Sequence, residues 1–393
     1  MSIKLSELRP RPRPALISGR EPFPLPEGLL RYVERAKANL AEPFVGLTTH
    51  GQVVPGLFRI EPTGVSCQPL VEAAAAFVEA LSPEQRVAVC FPIDSSAWRA
   101  WSNISPYLLR HGVLLEGLNE AQRDRALALV RESLSQAGYE TARGVMRLNE
   151  TIAEITGRFH EYGEWLYWLS VFGSPSSTEP WGWQIDGHHL ILNCFVLGDQ
   201  VVMTPHFMGS EPVYAEQGKY AGTRVFEVEE AQGFAFMRGL STQQQARATV
   251  GRQLPMDVVA TAPHDNLRLP YAGIAYPDLT DRQRTRLVDL IEVYVGRLRP
   301  GHAEVKLAEV KRHLAETHFA WIGACDEEAA FYYRIHSPVV LIEFDHQVGI
   351  ALDNDVPSRN HIHTLIRTPN GNDYGQDLLR QHYLRVPHPP APS

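Results

Sequence analysis

The sequence predicts an α+β fold, in which helices surround mainly antiparallel β-hairpins and a C-terminal antiparallel meander. Three observations lead to this prediction. Helix-start signatures recur along the chain, two regions are dense in β-branched and aromatic residues, and the turns between the candidate strands are short. Short connections favour antiparallel neighbours, and helices grouped apart from such strands favour α+β over a doubly wound sheet.

The composition is that of a globular protein. The 393 residues allow two domains or one large domain, and 44% of them are hydrophobic and 21% charged. The 37 basic and 45 acidic residues give a net charge of −8 without any basic run, which argues against a nucleic-acid partner. The sequence also lacks an apolar leader and any apolar stretch long enough for a membrane span, so we expect a cytoplasmic protein without membrane contact.

Three segments are expected along the chain. Residues 1–27 are rich in proline and arginine and should form an extended arm. Residues 28–385 should form a single domain, and the proline-rich residues 386–393 should form a tail.

The predicted helices are marked mainly by capping boxes. An N-cap residue is followed by glutamine three positions later at four places, an arrangement that satisfies backbone groups at a helix start. The boxes begin at Ser82, Asn119, Ser241 and Thr280. They predict helices near 83–90, 120–136, 242–250 and 281–298, and helical spacing predicts others over 30–40, 69–81 and 377–383.

The predicted strands fall into two regions. Residues 183–207 should form a strand, a tight turn at Leu197–Gln200 and a returning strand. Four more strands are predicted in the segments 317–323, 331–337, 339–346 and 360–368. The polar loop 347–359 between the last two is expected to face solvent.

His361 and His363 form the strongest candidate site. Alternate residues on a strand share a face, so both imidazoles project the same way and can hold one transition metal. Arg367 lies on the same face, and its guanidinium suits a substrate carboxylate. The alternative interpretation is a surface strand with solvated histidines.

A second histidine pair, His188 and His189, lies in the first strand region. Adjacent strand residues point to opposite faces, so we expect only one of the two to reach a given site. The other should pack or form a hydrogen bond, and His206 on the returning strand could face the pair. A structural role is as good an interpretation for each histidine taken alone.

Two carboxylates, Glu343 and Asp345, share a strand face at the end of an apolar run. Carboxylates there would be costly unless they are paired, hydrogen-bonded or metal-bound. Beside imidazoles they suit a metal ligand or a general base, and the alternative is a strand end that faces water. Asn372 and Asp373, in a later turn, could orient the histidines.

At these residues the sequence resembles a large bacterial family, domain of unknown function 3500. The motifs that carry the resemblance are Glu179–Leu190, Tyr332–Glu343 and His361–Gly375, and the similarity extends from about Ala38 to Tyr383. The resemblance implies one continuous domain and brings no established activity. The chain departs from the family pattern at Asp345-His346 and at His206.

These residues support two kinds of function. The first is a metal-dependent enzyme acting on a small molecule, in which His361, His363 and one of the pair His188 and His189 bind zinc, iron, copper or manganese. Hydrolysis is favoured, with metal-activated water as the nucleophile, Glu343 or Asp345 as the base, and Arg367 holding a substrate carboxylate. The alternative chemistry is oxidation with iron or copper.

The second kind of function is a non-catalytic protein that binds a small ligand. The histidines and three tryptophans, Trp181, Trp183 and Trp321, would then line its pocket. Distance separates the two hypotheses, because imidazole nitrogens that share a metal must lie within about 4–5 Å of one another.

Overall fold

The computed structural model describes residues 4–12, 17–105, 107–262 and 264–385. Within these ranges the chain forms ten α-helices and thirteen β-strands. The helices are α1 (Glu27–Ala41), α2 (Gln68–Ala80), α3 (Pro83–Val89), α4 (Glu120–Ser133), α5 (Gln136–Thr156), α6 (Glu227–Arg238), α7 (Thr242–Ala248), α8 (Asp281–Val295), α9 (His302–Arg312) and α10 (Gln376–Arg385). The strands are β1 (Cys90–Phe91), β2 (Val113–Leu114), β3 (Tyr167–Phe172), β4 (Trp181–Gly187), β5 (Leu190–Leu197), β6 (Gln200–Val202), β7 (His206–Ser210), β8 (Thr249–Gly251), β9 (Ile274–Ala275), β10 (His318–Gly323), β11 (Phe331–His336), β12 (Leu341–Gln347) and β13 (Ser358–Arg367).

All four capping boxes are confirmed, at the starts of α3, α4, α7 and α8. In each, the N-cap side chain accepts a hydrogen bond from the glutamine backbone, and the glutamine side chain accepts one from the N-cap backbone. Helices α5, α6 and α9 were not predicted. Helix α5 shows why: its N-cap Ser135 accepts from Gly138, so no glutamine completes a box.

One mostly antiparallel sheet contains all of the described strands. Its order is β1-β3-β4-β5-β7-β13-β12-β11-β10-β8, with β2, β6 and β9 paired to β3, β5 and β10. The predicted C-terminal meander is confirmed as β10–β13. The arrangement of helices around separate hairpins is not confirmed, because β7 pairs with both β5 and β13 and joins the hairpin region to the meander.

The first hairpin differs from the prediction at one point. The strand expected to run through 183–196 breaks at His188 and His189, which form a two-residue turn between β4 and β5. His189 has a φ of 63°, in the left-handed region that few non-glycine residues adopt. Asp186 and Gly187 directly precede this turn and are a turn-type pair, but the strand pattern of the surrounding residues led the prediction to miss it.

Hydrophobic clusters cover both faces of the sheet. Trp181, Trp183 and Trp321 are fully buried in the larger cluster. Phe207 and Leu365 belong to a second cluster. The three tryptophans are therefore core residues and do not line an open pocket, which corrects their expected role. No helix in the described ranges is long and apolar enough to cross a membrane.

Candidate metal centre

The turn between β4 and β5 fixes the first residue of the site, His189. Its backbone N–H donates to the Asn103 carbonyl oxygen at 3.1 Å, and its own carbonyl oxygen accepts from the Gly209 N–H at 2.8 Å. The second bond attaches the turn to β7, the strand that pairs with β13. The side chain is therefore aimed across β7 toward the C-terminal meander.

Strand β13 supplies the other two histidines, as the strand alternation predicted. His361 and His363 lie on one face, and His363 is directly opposite Gly209 of β7 in the antiparallel register. A Cβ on Gly209 would lie only 2.7 Å from the His363 ring carbon Cδ2 and 3.4 Å from that of His189. The imidazoles thus fill the space that the glycine leaves.

The three imidazoles converge on a single point. The Nε2 atoms of His189 and His361 are 3.2 Å apart, those of His361 and His363 are 3.0 Å apart, and those of His189 and His363 are 3.1 Å apart. All three residues are buried, at 5% exposure or less. We call these residues the histidine triad; within the described ranges it is the one group of three His, Cys, Asp or Glu side chains whose ligand atoms lie close enough to share a metal ion.

Hydrogen bonds to the other ring nitrogens set the tautomers of two members. His361 Nδ1 lies 2.7 Å from the Val348 carbonyl oxygen, and His363 Nδ1 lies 2.7 Å from Asp257 Oδ1. Both oxygens act as acceptors here, so each Nδ1 carries a proton, and in the neutral ring each Nε2 presents a lone pair to the triad. Burial, together with the neighbouring imidazoles, holds the pKa values of His189 and His361 well below 6.5.

His188 does not join the triad but lies behind it. Its ring stacks on that of His189, with centroids 3.8 Å apart, and its Nδ1 lies 2.8 Å from Asn149 Oδ1. Of the two adjacent histidines, His189 is therefore the candidate ligand. His206 points to the opposite face of β7 from Phe207, whose ring contacts His363, so it does not face the site.

The predicted residues Glu343 and Arg367 are both fully buried and bind the same loop. Glu343 accepts hydrogen bonds from the backbone N–H groups of Val259 and Ala260, each at 2.9 Å, and from the Tyr332 hydroxyl at 2.5 Å. Arg367 Nε donates to the Ala260 carbonyl oxygen at 2.8 Å. This loop also carries Asp257, so the two residues hold in place the carboxylate that orients His363.

The Arg367 guanidinium also has carboxylate partners of its own. It forms ion pairs with Asp265 and Asp373, both at 3.0 Å. Its side chain is 0% exposed, so it lies in the core rather than at an opening where it would bind a substrate carboxylate. Asp373 likewise binds Arg367 and the Thr368 backbone rather than a histidine of the triad.

Asp345 is the predicted carboxylate that keeps an oxygen without a hydrogen-bond partner among the described residues. It is opposite His363 in the β12–β13 register and therefore lies on the face that carries the triad. Its Oδ2 accepts from Gln347, whereas its buried Oδ1 has no hydrogen-bond partner among the described residues. Burial, and then the charges of Asp257 and Glu343, raise the pKa of Asp345 well above its usual value.

The loop before β13 was expected to face solvent, and it does so only in part, since Ile350, Asp353 and Asp355 are exposed. Leu352 and Asn354 are buried, at 0% and 5% exposure, and Val348 supplies the acceptor for His361. Glu211, which sequence reasoning missed, accepts from the backbone of residues 350–352. Its carboxylate lies 3.9 Å from His361 Nδ1.

The orienting residue Asp257 was also missed. It is partly exposed, at 27% for its side chain, and its second oxygen accepts from the Asn103 amide at 3.1 Å. It lies in a loop without periodicity, so no local signal marks it. No sequence pattern links Asn103 to Asp257 either, because the two residues are 154 positions apart.

Comparison with known proteins identifies the family of this chain. No curated protein and no solved structure matches the chain. The model of one protein family, described as a protein of unknown function, matches residues 63–376, which include the whole histidine triad. The chain belongs to this family, DUF3500.

Proposed function

We propose that this protein is a metal-dependent enzyme in which His189, His361 and His363 bind one divalent transition metal. The observation that carries the proposal is the convergence of the three Nε2 atoms at 3.0–3.2 Å. Two of these atoms present lone pairs, because their rings donate through Nδ1. Lone pairs at this separation repel each other unless a cation lies between them, and a transition metal is the cation that imidazole nitrogen prefers.

The surroundings of the triad also favour a cation. Asp257, Glu343 and Asp345 place three carboxyl groups close to one another near His363. The buried Oδ1 of Asp345 has no hydrogen-bond partner among the described residues. Buried carboxylates without a partner are costly, and a bound dication would offset that cost.

The arrangement suits a catalytic centre better than a structural one. At bond lengths of about 2.1 Å, nitrogens spaced as these are would subtend roughly 90–100° at the metal, which places all three on one side. Three protein ligands with open positions are typical of catalytic sites, whereas structural zinc sites are closed by four ligands. The second ring nitrogens of His361 and His363 are held by a carbonyl and a carboxylate, as is usual for metal-binding histidines.

We favour hydrolysis of a small molecule, with a metal that activates water. Asp345 is the better candidate for the base, since the carboxylate oxygens of Glu343 already accept three hydrogen bonds. The ion pairs of Arg367 remove the reason to expect a carboxylate on the substrate, and the acidic surroundings favour a neutral or cationic one. The alternative chemistry is oxidation by iron or copper, to which the same three ligands are suited.

Metal analysis of protein purified without a histidine tag tests the proposal. We expect about one metal per chain for the natural protein, since the triad offers a single point of convergence. Zinc would favour hydrolysis, and iron or copper would favour oxidation. The variants His189→Ala, His361→Ala and His363→Ala should lose the metal, whereas His50→Ala, which changes an exposed histidine, should keep it.

A natural protein that remains metal-free after reconstitution with each of these metals would overturn the proposal. The same holds if the triad variants bind as much metal as His50→Ala. Once the metal is known, screening the loaded protein against small esters and amides would define the reaction.

A further inference from the structure

The loop between β12 and β13 holds one member of the triad in position. This loop spans residues 348–355. Its first carbonyl oxygen, that of Val348, accepts from His361 Nδ1 at 2.7 Å. The loop closes on itself through a bond from the Gly349 N–H to the Asn354 carbonyl oxygen at 2.8 Å. Any shift of this loop would therefore move the acceptor that sets the tautomer and orientation of His361.

A carboxylate on one side and an arginine on the other hold this loop. Glu211 accepts from the loop N–H groups of residues 350–352 at 2.9–3.2 Å. Arg11, in the N-terminal segment, binds the carbonyl groups. Its backbone N–H donates to Ala351 at 2.8 Å, and its Nε donates to Leu352 at 3.2 Å.

The Nη2 group of Arg11 reaches both ends of the loop. Nη2 lies 3.2 Å from the Gly349 carbonyl oxygen, 3.4 Å from that of Asn354 and 2.9 Å from Asp355 Oδ1. Backbone carbonyls outside regular structure need such partners when they leave water. One side chain from a distant part of the chain thus binds four groups of the loop that positions His361.

The same N-terminal segment also reaches the His189 side of the site. Leu8 is buried in a small hydrophobic cluster with Leu352 and Tyr162. The Tyr162 ring lies 5.3 Å from that of His188, which in turn stacks on His189. The segment is therefore packed behind two of the three candidate ligands.

We propose that Arg11 is a positioning residue for the metal centre, and that the N-terminal segment 4–11 holds the triad in its metal-binding geometry. This inference rests on the proposed function. Composition alone indicated that the N-terminal arm is extended. The inference gives part of this arm a role in the site. Residues that orient metal ligands typically change metal affinity 10–100-fold when they are replaced.

The experiment compares two arginines of the same segment in the full-length protein. Arg11→Gln removes the guanidinium bonds to the loop and keeps the backbone bond to Ala351. Arg9→Gln is the matched control, because among the described residues the Arg9 side chain binds the Ser6 and Leu8 carbonyls of its own segment, and its bond to Asp353 in the loop comes from the backbone, which the substitution keeps. Zinc affinity is measured by competition with a chelator, and the ligand field is read from the visible spectrum of the cobalt-loaded protein.

We expect Arg11→Gln to weaken zinc binding about tenfold or more and to change the cobalt spectrum, because His361 loses its fixed acceptor. Arg9→Gln should match the natural protein in both measurements. Arg11→Lys, which keeps the charge but not the planar fork, should give an intermediate affinity. Urea unfolding with excess chelator separates a general loss of stability from an effect on the site.

The inference is overturned if Arg11→Gln keeps the natural affinity and spectrum, or if both arginine variants weaken zinc binding equally. It is also overturned if Arg11→Gln only lowers the metal-free unfolding midpoint while the cobalt spectrum is unchanged. A natural protein that binds neither zinc nor cobalt would instead refute the proposed metal centre, and this inference with it.

Discussion

At the scale of single residues, Gly209 is packed tightly against the candidate metal centre. A Cβ at this position would lie 2.7 Å from His363 Cδ2 and 2.8 Å from the Ile362 carbonyl oxygen. Gly209→Ala must therefore displace the His363 ring, and we expect metal affinity to fall at least about tenfold. Chelator competition measures the effect.

Gly117→Ala is a matched control for this substitution, because a Cβ on Gly117 would have nothing within 4 Å. It should leave metal affinity unchanged. If Gly209→Ala binds metal as tightly as Gly117→Ala does, the triad does not depend on the fit between β7 and β13. The packing argument for the site would then be wrong.

Strand alternation predicted part of this site and failed at a defined place. It correctly placed His361 and His363 on one face, since β13 is a regular strand there. It could not choose between His188 and His189, because it assumed that both lie within a strand. The turn at these two residues depends on two tertiary hydrogen bonds, one donated by His189 to Asn103 and one accepted by His189 from Gly209, which local sequence patterns do not report.

At the scale of elements, the loop segments that contain Val259, Ala260 and Asp265 depend on two neighbouring strands. Glu343 of β12 binds their N–H groups, and Arg367 of β13 binds a carbonyl and Asp265. Strand alternation predicted the correct face for both residues. The roles predicted for them were chemical, a base for Glu343 and a carboxylate-binding group for Arg367, whereas their contacts support the loop. Their contacts lie with a segment about 80 to 110 residues away, so no local pattern could predict them.

Replacing Glu343 tests this role. Glu343→Gln presents an amide N–H₂ group where the loop and Tyr332 need acceptors, so a buried donor loses its partner. We expect a loss of about 1–3 kcal/mol in the free energy of unfolding, together with weaker metal binding as Asp257 loses its support. Urea unfolding and chelator competition measure the two effects, and Glu292→Gln on the exposed side of α8 is the control.

If Asp345 is the base, Asp345→Asn should leave the free energy of unfolding unchanged, in contrast to Glu343→Gln. Its buried Oδ1 has no partner among the described residues, so a neutral amide should not lower stability. Turnover should fall far more than metal affinity, which should weaken only through the loss of a carboxylate charge near the metal. A Glu343→Gln protein with natural stability but no turnover would reverse the two assignments.

At the scale of the whole molecule, the site lies where two distant parts of the chain meet. His189 and His361 are 172 positions apart, and β7 joins their two regions into one sheet. The local features were predictable: the four capping boxes, the meander and the face of β13. The order of the strands was not, because β7 is a short strand whose pairing is set by packing on both faces rather than by its own sequence.

Histidines away from the triad make the stability of the fold sensitive to pH. His336, on β11, is 1% exposed, and neither of its ring nitrogens has a hydrogen-bond partner among the described residues. Burial, and then the nearby charges of Arg334 and His318, lower the pKa of His336 from 6.5 to about 3. The folded protein therefore keeps this ring neutral at pH values where the unfolded chain binds a proton.

The sign of the pH effect follows from this difference in pKa. The stability that the neutral ring contributes is complete above pH 6.5 and is lost as the pH falls below it, because the unfolded chain gains a proton that the folded site refuses. Between pH 7 and pH 5 the loss is about 2 kcal/mol, provided that the folded pKa stays below 4. His336→Phe cannot bind that proton in either state. We therefore expect the free energy of unfolding of the variant, measured by urea titration relative to the natural protein, to rise by about 2 kcal/mol between pH 7 and pH 5. Between pH 8 and pH 7 the difference between the two proteins should stay nearly constant, and a constant difference down to pH 5 would show that the folded protein protonates His336.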